Sequence, residues 1–242
     1  GADAIVEYIA PLSDLGGESA VVFASGFLSG DDPAFSVFAA LEDGSVIELP
    51  IIDSMASVQV IHNSASPTVD VYIDGSLAIE GFEYRSATPV LDLSTSFTVG
   101  IAPTGGDIIA EFPFELIDGG EYIVVATGLL GDDTTPFDLA ASAMTFGATD
   151  GNVGLNVYHG STDAPSVDVL ADGGVLVEDL MYGEFSGYVE VPASDYTIGI
   201  APTGADAIVE YIAPLSDLGG ESAVVFASGF LSGDDPAFSV FA

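Results

Sequence analysis

The sequence predicts an all-β protein assembled from tandem antiparallel sandwiches, and three observations predict it. Residues from Gly1 to Ala39 return without a single change from Gly204 to Ala242, an offset of 203 residues. So long an identity is the mark of a repeated architecture, here one full period and part of the next. Short β-branched and aromatic runs recur along the whole chain between Gly, Asp and Pro clusters. Finally, no window longer than a couple of turns carries a helical period.

Taken in order, the predicted strands cover residues 4–9, 19–25, 35–39 and 45–49, with a weak boundary at 53–56. A second group follows at 57–62, 68–74, 89–93, 96–102, 108–112, 121–127 and 137–145. GATDG at 147–151 is a clear break, after which 153–159, 167–170, 187–191, 196–201, 207–212 and 222–228 repeat the rhythm. In VDVYID the alternation puts Val69, Val71 and Ile73 on one face and Asp70, Tyr72 and Asp74 on the other, the pattern of a half-buried strand.

An older duplication lies inside the period. VQVIHNSASPTVDVYIDG (58–75) matches LNVYHGSTDAPSVDVLADGG (155–174), and FTVGIAPTGGDIIAEF (97–112) matches YTIGIAPTGADAIVEY (196–211). GGEYIVVATGLLGDD (119–133) likewise matches GGESAVVFASGFLSGDD (219–235). Each period is therefore a pair of related domains of about 100 residues, a size that suits an immunoglobulin-like sandwich. The expected organisation has three parts. Residues 1–52 are the C-terminal half of a domain whose other half lies outside the chain or on a neighbour. Residues 55–148 form the first complete sandwich, and 150–242 a second one lacking its last strand. The chain is accordingly expected to be an excerpt of a longer polymer or a subunit that exchanges a half-domain.

Composition closes several routes. With 38 acidic residues against a single Lys or Arg, Arg85, the formal charge is −37, so nothing is available to neutralise the phosphates of nucleic acid or an anionic membrane surface. Without Cys there are no disulfides and no thiolate metal sites. Mean hydropathy is high at +0.52, yet no apolar run approaches the roughly 20 residues of a spanning helix, so no membrane insertion is expected. The surplus apolar surface belongs in cores or between units, since large exposed apolar patches mark interfaces.

The motif that runs from His62 or His159 through Ser and Pro to Val-Asp-Val and Asp-Gly resembles the opening of the family called domain of unknown function 4397. The aromatic-Thr-Val/Ile-Gly-Ile run and the Gly-Gly-Glu turn resemble it too, over nearly the whole chain. The resemblance implies a secreted or surface-displayed β-sandwich, often in tandem, with no assigned chemistry. The first copy departs slightly: Ser66 stands where the second has Asp163 and Ala164.

Candidate sites are few. His62 and His159 sit at matching strand ends with Ser64 or Ser161 and Asp70 or Asp168 nearby, but the three crowd one strand and its turn. A nucleophilic triad needs the base between the other two, so no catalytic residues are assigned and each His is expected to fasten the turn to backbone. Paired carboxylates at Asp31 and Asp32, Asp132 and Asp133, and Asp234 and Asp235 fall in equivalent loops and are the candidate metal ligands, for Ca²⁺. They also suit plain turn residues. No cofactor is required. IAPTGG and IAPTGA lack the Lys of a nucleotide loop and are read as turns. Arg85 is expected to be paired, within its domain or across an interface.

The function these features predict is structural, not enzymatic: an extracellular or cell-surface filament or stalk that partners itself. Assembly proceeds either by covalent tandem repetition or by exchange of the segment bounded by Gly1, Ala39, Gly204 and Ala242. The alternative is a cation-dependent adhesin or a carbohydrate- or protein-binding array.

Overall fold

The computed structural model describes residues 8–10, 13, 16–17, 19–28, 33–233 and 236–242. It falls into two units, Gly1–Ser54 and Met55–Ala242, and every element in it is a β-strand.

The first unit is one antiparallel sheet of β1 (Ala20–Ser25), β2 (Ser36–Leu41) and β3 (Val46–Glu48), in that order. The β2–β3 hairpin turns through Asp43 and Gly44. Asp43 accepts a hydrogen bond from the Ser45 amide at 2.8 Å, and Gly44 takes a φ of +86° that suits Gly. Ala39 and Leu49 are buried, whereas every residue of β1 is exposed.

The second unit holds two sandwiches. The first contains β4 (Met55–His62), β5 (Val69–Ile73), β6 (Ser76–Phe82), β7 (Ser86–Ala87), β8 (Leu91–Ser94), β9 (Ser96–Pro103), β10 (Ala110–Glu115), β11 (Glu121–Thr127) and β12 (Asp138–Ala143). Its sheets run β10-β9-β5-β6 and β12-β11-β4-β7, with β8 also paired to β4. The second contains β13 (Asn152–His159), β14 (Val167–Ala171), β15 (Gly174–Leu180), β16 (Val189–Pro192), β17 (Asp195–Pro202), β18 (Val209–Pro214), β19 (Ser222–Ser228) and β20 (Ser239–Phe241). Its sheets run β16-β13-β19-β20 and β15-β14-β17-β18. Inward residues such as Val69, Val71, Phe97, Val99 and Ile101 fill the first core. Val157, Val167, Val169, Ile198 and Ile200 fill the second.

The architecture is the all-β sandwich that the sequence predicts, with two local departures. One pairing in each sandwich is parallel, β4 with β11 and β13 with β19. The first strand and the penultimate one meet there across more than 50 residues, and no hairpin constrains their direction. The strands β6 and β15 are absent from the sequence reading. Both start from an Asp-Gly turn, with Asp74 and Asp172 in the left-handed region. Both also break register against their neighbour through a bulge, which blurs the alternation that a sequence reading relies on.

Candidate assembly interface

Strand β11 carries apolar residues on both alternations, and the structure uses both faces. Val124 and Ala126 point into the first sandwich, where they line its interior with Val58 and Val60. Ile123 and Val125 point the other way. They join Ile61 and Met144 in a cluster completed by Tyr158, Val224 and Phe226 of the second sandwich. Sheet β12-β11-β4-β7 thus packs on sheet β16-β13-β19-β20, and one continuous core crosses from domain to domain. Strands buried on both faces read as unbroken apolar runs, which is why YIVVA at 122–126 lacks polar alternation.

The polar rim of this interface is reciprocal. Tyr84 of the first sandwich meets the Ser228 hydroxyl at 2.6 Å, and the equivalent Tyr182 of the second meets Thr127 of the first at 3.4 Å. Equivalent residues also face each other where the two His turns approach. The Asn63 amide donates to the carbonyls of Gly160 at 3.4 Å and Ala227 at 3.1 Å. Residue 160 must be Gly, because a Cβ there would overlap the Asn63 amide and sit 2.9 Å from the Ala227 carbonyl oxygen. A surface that contacts its own counterpart is isologous. The pair therefore behaves as a dimer of related domains joined in one chain.

Arg85 pairs across this interface, held by a left-handed backbone at φ +62°. Its guanidinium donates to the Ser228 hydroxyl at 3.1 Å and to the carbonyls of Ser228 at 3.3 Å and Ala237 at 2.7 Å. The same group lies 4.5 Å from the Phe241 ring centroid and 4.8 Å from that of Tyr84, so two aromatic faces share the cation. Carbonyls and rings hold it here, an arrangement the fork geometry of guanidinium suits better than an ammonium would.

The His turns are built as fasteners. His62 is fully buried, donates through Nε2 to the Pro67 carbonyl at 3.2 Å, and accepts at Nδ1 from the Ser64 amide at 3.3 Å. His159 repeats the bond to Pro165 at 3.0 Å. Burial depresses both imidazole pKa values, with the bonds to Pro67 and Pro165 opposing it. Ser64 and Ser161 donate to the carbonyls of Gly128 and Gly229, not to the imidazoles. Asp70, expected on a solvated face, is instead buried. Its carboxylate accepts the amides of Gly105 and Gly81, which hold it below the usual carboxylate range. Asp168 does the same with Gly204 and Asp179. The conformation of the Val-Asp-Val strand thus needs each Asp to bind the bulge and the next turn.

Of the acidic loop pairs, Asp132 and Asp133 are described. Asp132 accepts the amides of Thr134 at 2.7 Å and Thr135 at 3.0 Å, an Asx turn, and those of Thr135 and Thr134 lower its pKa. Asp133 is exposed beside it. Asp31, Asp32, Asp234, Asp235 and Gly1 lie outside the described residues. Among the described residues, no three His, Cys, Asp or Glu side chains gather as a metal-holding group. Of the remaining repeat bounds, Ala39 is buried in the first unit, Gly204 donates to Asp168 at 2.9 Å, and Ala242 lines an apolar recess with Val240 and Phe241. The interface residues Asn63, Tyr84, Tyr182 and Ser228 carry no sequence motif. Only the doubly apolar β11 hinted at the surface they surround.

Fold and interface together define a tandem β-sandwich protein whose domains are fused pairwise through a common core. The chain belongs to the family described as Domain of unknown function (DUF4397), which matches twice, at residues 56–150 and 153–241. No curated protein matches the chain. Among solved structures it is similar to "The Bacillus anthracis TIE protein", with 12% identity and a TM-score of 0.24 over 87% of this chain and 47% of that one. The chain thus spans about half the length of that relative. Among the described residues, no helix is long and apolar enough to cross a membrane.

Proposed function

We propose that the chain is a structural unit of an extracellular filament or cell-surface stalk, with other copies of the same repeat as its partners. The observation that carries this reading is the shared core of Ile61, Ile123, Val125, Met144, Tyr158, Val224 and Phe226. Domains joined only by a linker move independently by default, whereas a large apolar interface fixes them. Fused pairs repeated at 203 residues would form a stiff element. A surface with one basic residue in 242 also gives extracellular trypsin-like proteases a single target.

The test is a tandem polypeptide of several periods, imaged by electron microscopy and stretched singly. Rods of uniform width, with paired domains that unfold together, are expected. Beads that flex between the two domains of each pair would refute the structural reading. The denatured mass of native material, set beside micrographs, separates a covalent array from subunits joined by exchange.

A further inference from the structure

One sequence appears twice in two states. In β19, Val224 is 6% exposed and Phe226 is 4% exposed. In β1 the identical residues, Val21 and Phe23, are 67% and 41% exposed, and Val22 between them is 55% exposed. The covered copy shows what each face of this strand requires. Val224 and Phe226 lie against Ile61, Ile123, Val125 and Met144 of the first sandwich. Val225 lies against the interior formed by Val157, Val169, Ile198 and Ile200. The strand edge itself takes β13 in parallel, with Leu155 opposite Ala223 and Val157 opposite Val225.

We infer that Gly1–Ser54 is an acceptor half-domain, covered by residues 55–203 of a second copy of this chain. The inference rests on the self-assembling reading above and names its joint. Subtracting 203 from each contact gives the geometry. β13 of the second copy pairs with β1 so that its Leu155 faces Ala20 and its Val157 faces Val22. Arg85 of the second copy lands on Ser25, Ala34 and Phe38, which match Ser228, Ala237 and Phe241.

To accept this segment, the second copy must release its own residues 204–242, with β18, β19 and β20. That exchange trades identical sequence for identical sequence up to Ala39. The first unit continues β2 to Leu41 and adds β3, with Phe38 opposite Glu48, Ala40 opposite Val46, and Leu49 buried. The joint is also heterologous, head to tail, so successive copies extend as a ring or a filament.

The experiment compares three forms of the full chain, followed by light scattering and native mass spectrometry over time and concentration. The natural sequence should form multimers slowly, because β19 must leave before a neighbour enters. Val22→Asp places a charge on the sandwich-facing side of an exposed strand and should abolish the multimers. Its urea transition for Met55–Ala242 should stay unchanged, which separates loss of docking from loss of folding. Phe226→Ala weakens the tail's seat without touching Phe23, and should speed multimer formation by about tenfold or more. Three results would each overturn the inference: monomers at every concentration, multimers of Val22→Asp equal to the natural chain's, or a Phe226→Ala rate equal to the natural one. Monomers from a chain whose tandem form still images as rods would sink the exchange and leave the stalk standing.

Discussion

Replacing Gly160 by Ala should open the seam between the two sandwiches, and trypsin should report it. The new Cβ would overlap the Asn63 amide and lie 2.9 Å from both the Ala227 carbonyl oxygen and the Tyr158 ring. Driving the Asn63 amide away breaks its bonds to Gly160 and Ala227, and a buried amide left unpaired costs about 1–3 kcal/mol. The remaining crowding against backbone and ring adds about 1–3 kcal/mol of overpacking. Even the lower sum, about 2 kcal/mol, raises the open population about thirtyfold. Arg85 is the only Lys or Arg in the chain and bonds across this seam. With limiting protease, cleavage after it tracks that open population. Gly160→Ala should therefore be cut at least about thirtyfold faster than the natural chain by the same arithmetic. Adding Asn63→Ala removes the overlapping amide, so the double variant should be cut more slowly than the two singles combined imply, by a coupling of about 1–2 kcal/mol. Natural cleavage rates in Gly160→Ala, or strict additivity in the double variant, would refute the reasoning.

Burial lowers the folded-state pKa of His62 and His159, so the unfolded chain takes up their protons first. Their stability is complete above about pH 6.5 and falls as pH drops from there toward the depressed folded values. Urea midpoints followed from pH 7.5 to 5 should show that fall, and a His62→Gln, His159→Gln chain should show less of it. A second prediction concerns the apolar recess of about 530 Å³ in the first sandwich, lined in part by Ala78 where the second sandwich has Leu176. Ala78→Leu should stabilise the protein by about 1 kcal/mol, seen in the same urea midpoint; destabilisation would mean that the recess does not admit the added side chain. A third concerns charge. At −37, sodium chloride should raise the thermal midpoint by screening, and Ca²⁺ at matched ionic strength should raise it no further. An extra Ca²⁺ shift, lost in Asp132→Asn with Asp133→Asn, would instead show that the loop carboxylates hold the ion.

The fold was legible because its signals are local. Val69, Val71 and Ile73 alternate as a half-buried strand should, and both His turns announce themselves by repetition. What stayed hidden depends on relations between distant residues. Asp70 reads as a solvated residue because its type and spacing fit one. Only the fold brings the amides of Gly81 and Gly105 to its carboxylate. The bulged strands β6 and β15 escaped for a similar reason, since a single extra residue shifts every later side chain to the other face. The Tyr84–Ser228 and Asn63–Gly160 pairs join residues more than 90 positions apart and fit no motif.

One consequence of the duplication goes further than legibility. Sequence normally sets the environment of a strand, yet AVVFAS is exposed at β1 and packed on both faces at β19. The residues are the same, so the difference comes entirely from what surrounds each copy. Strand β19 has β13 beside it and the first sandwich above it, whereas among the described residues β1 has only β2 and β3 in its own sheet. An apolar strand kept in that state would be an aggregation hazard, and β1 itself carries no charge, since Ala, Val, Phe and Ser make up all of it. The proposed joint would remove that hazard, because it would cover β1 as β13 and the first sandwich cover β19.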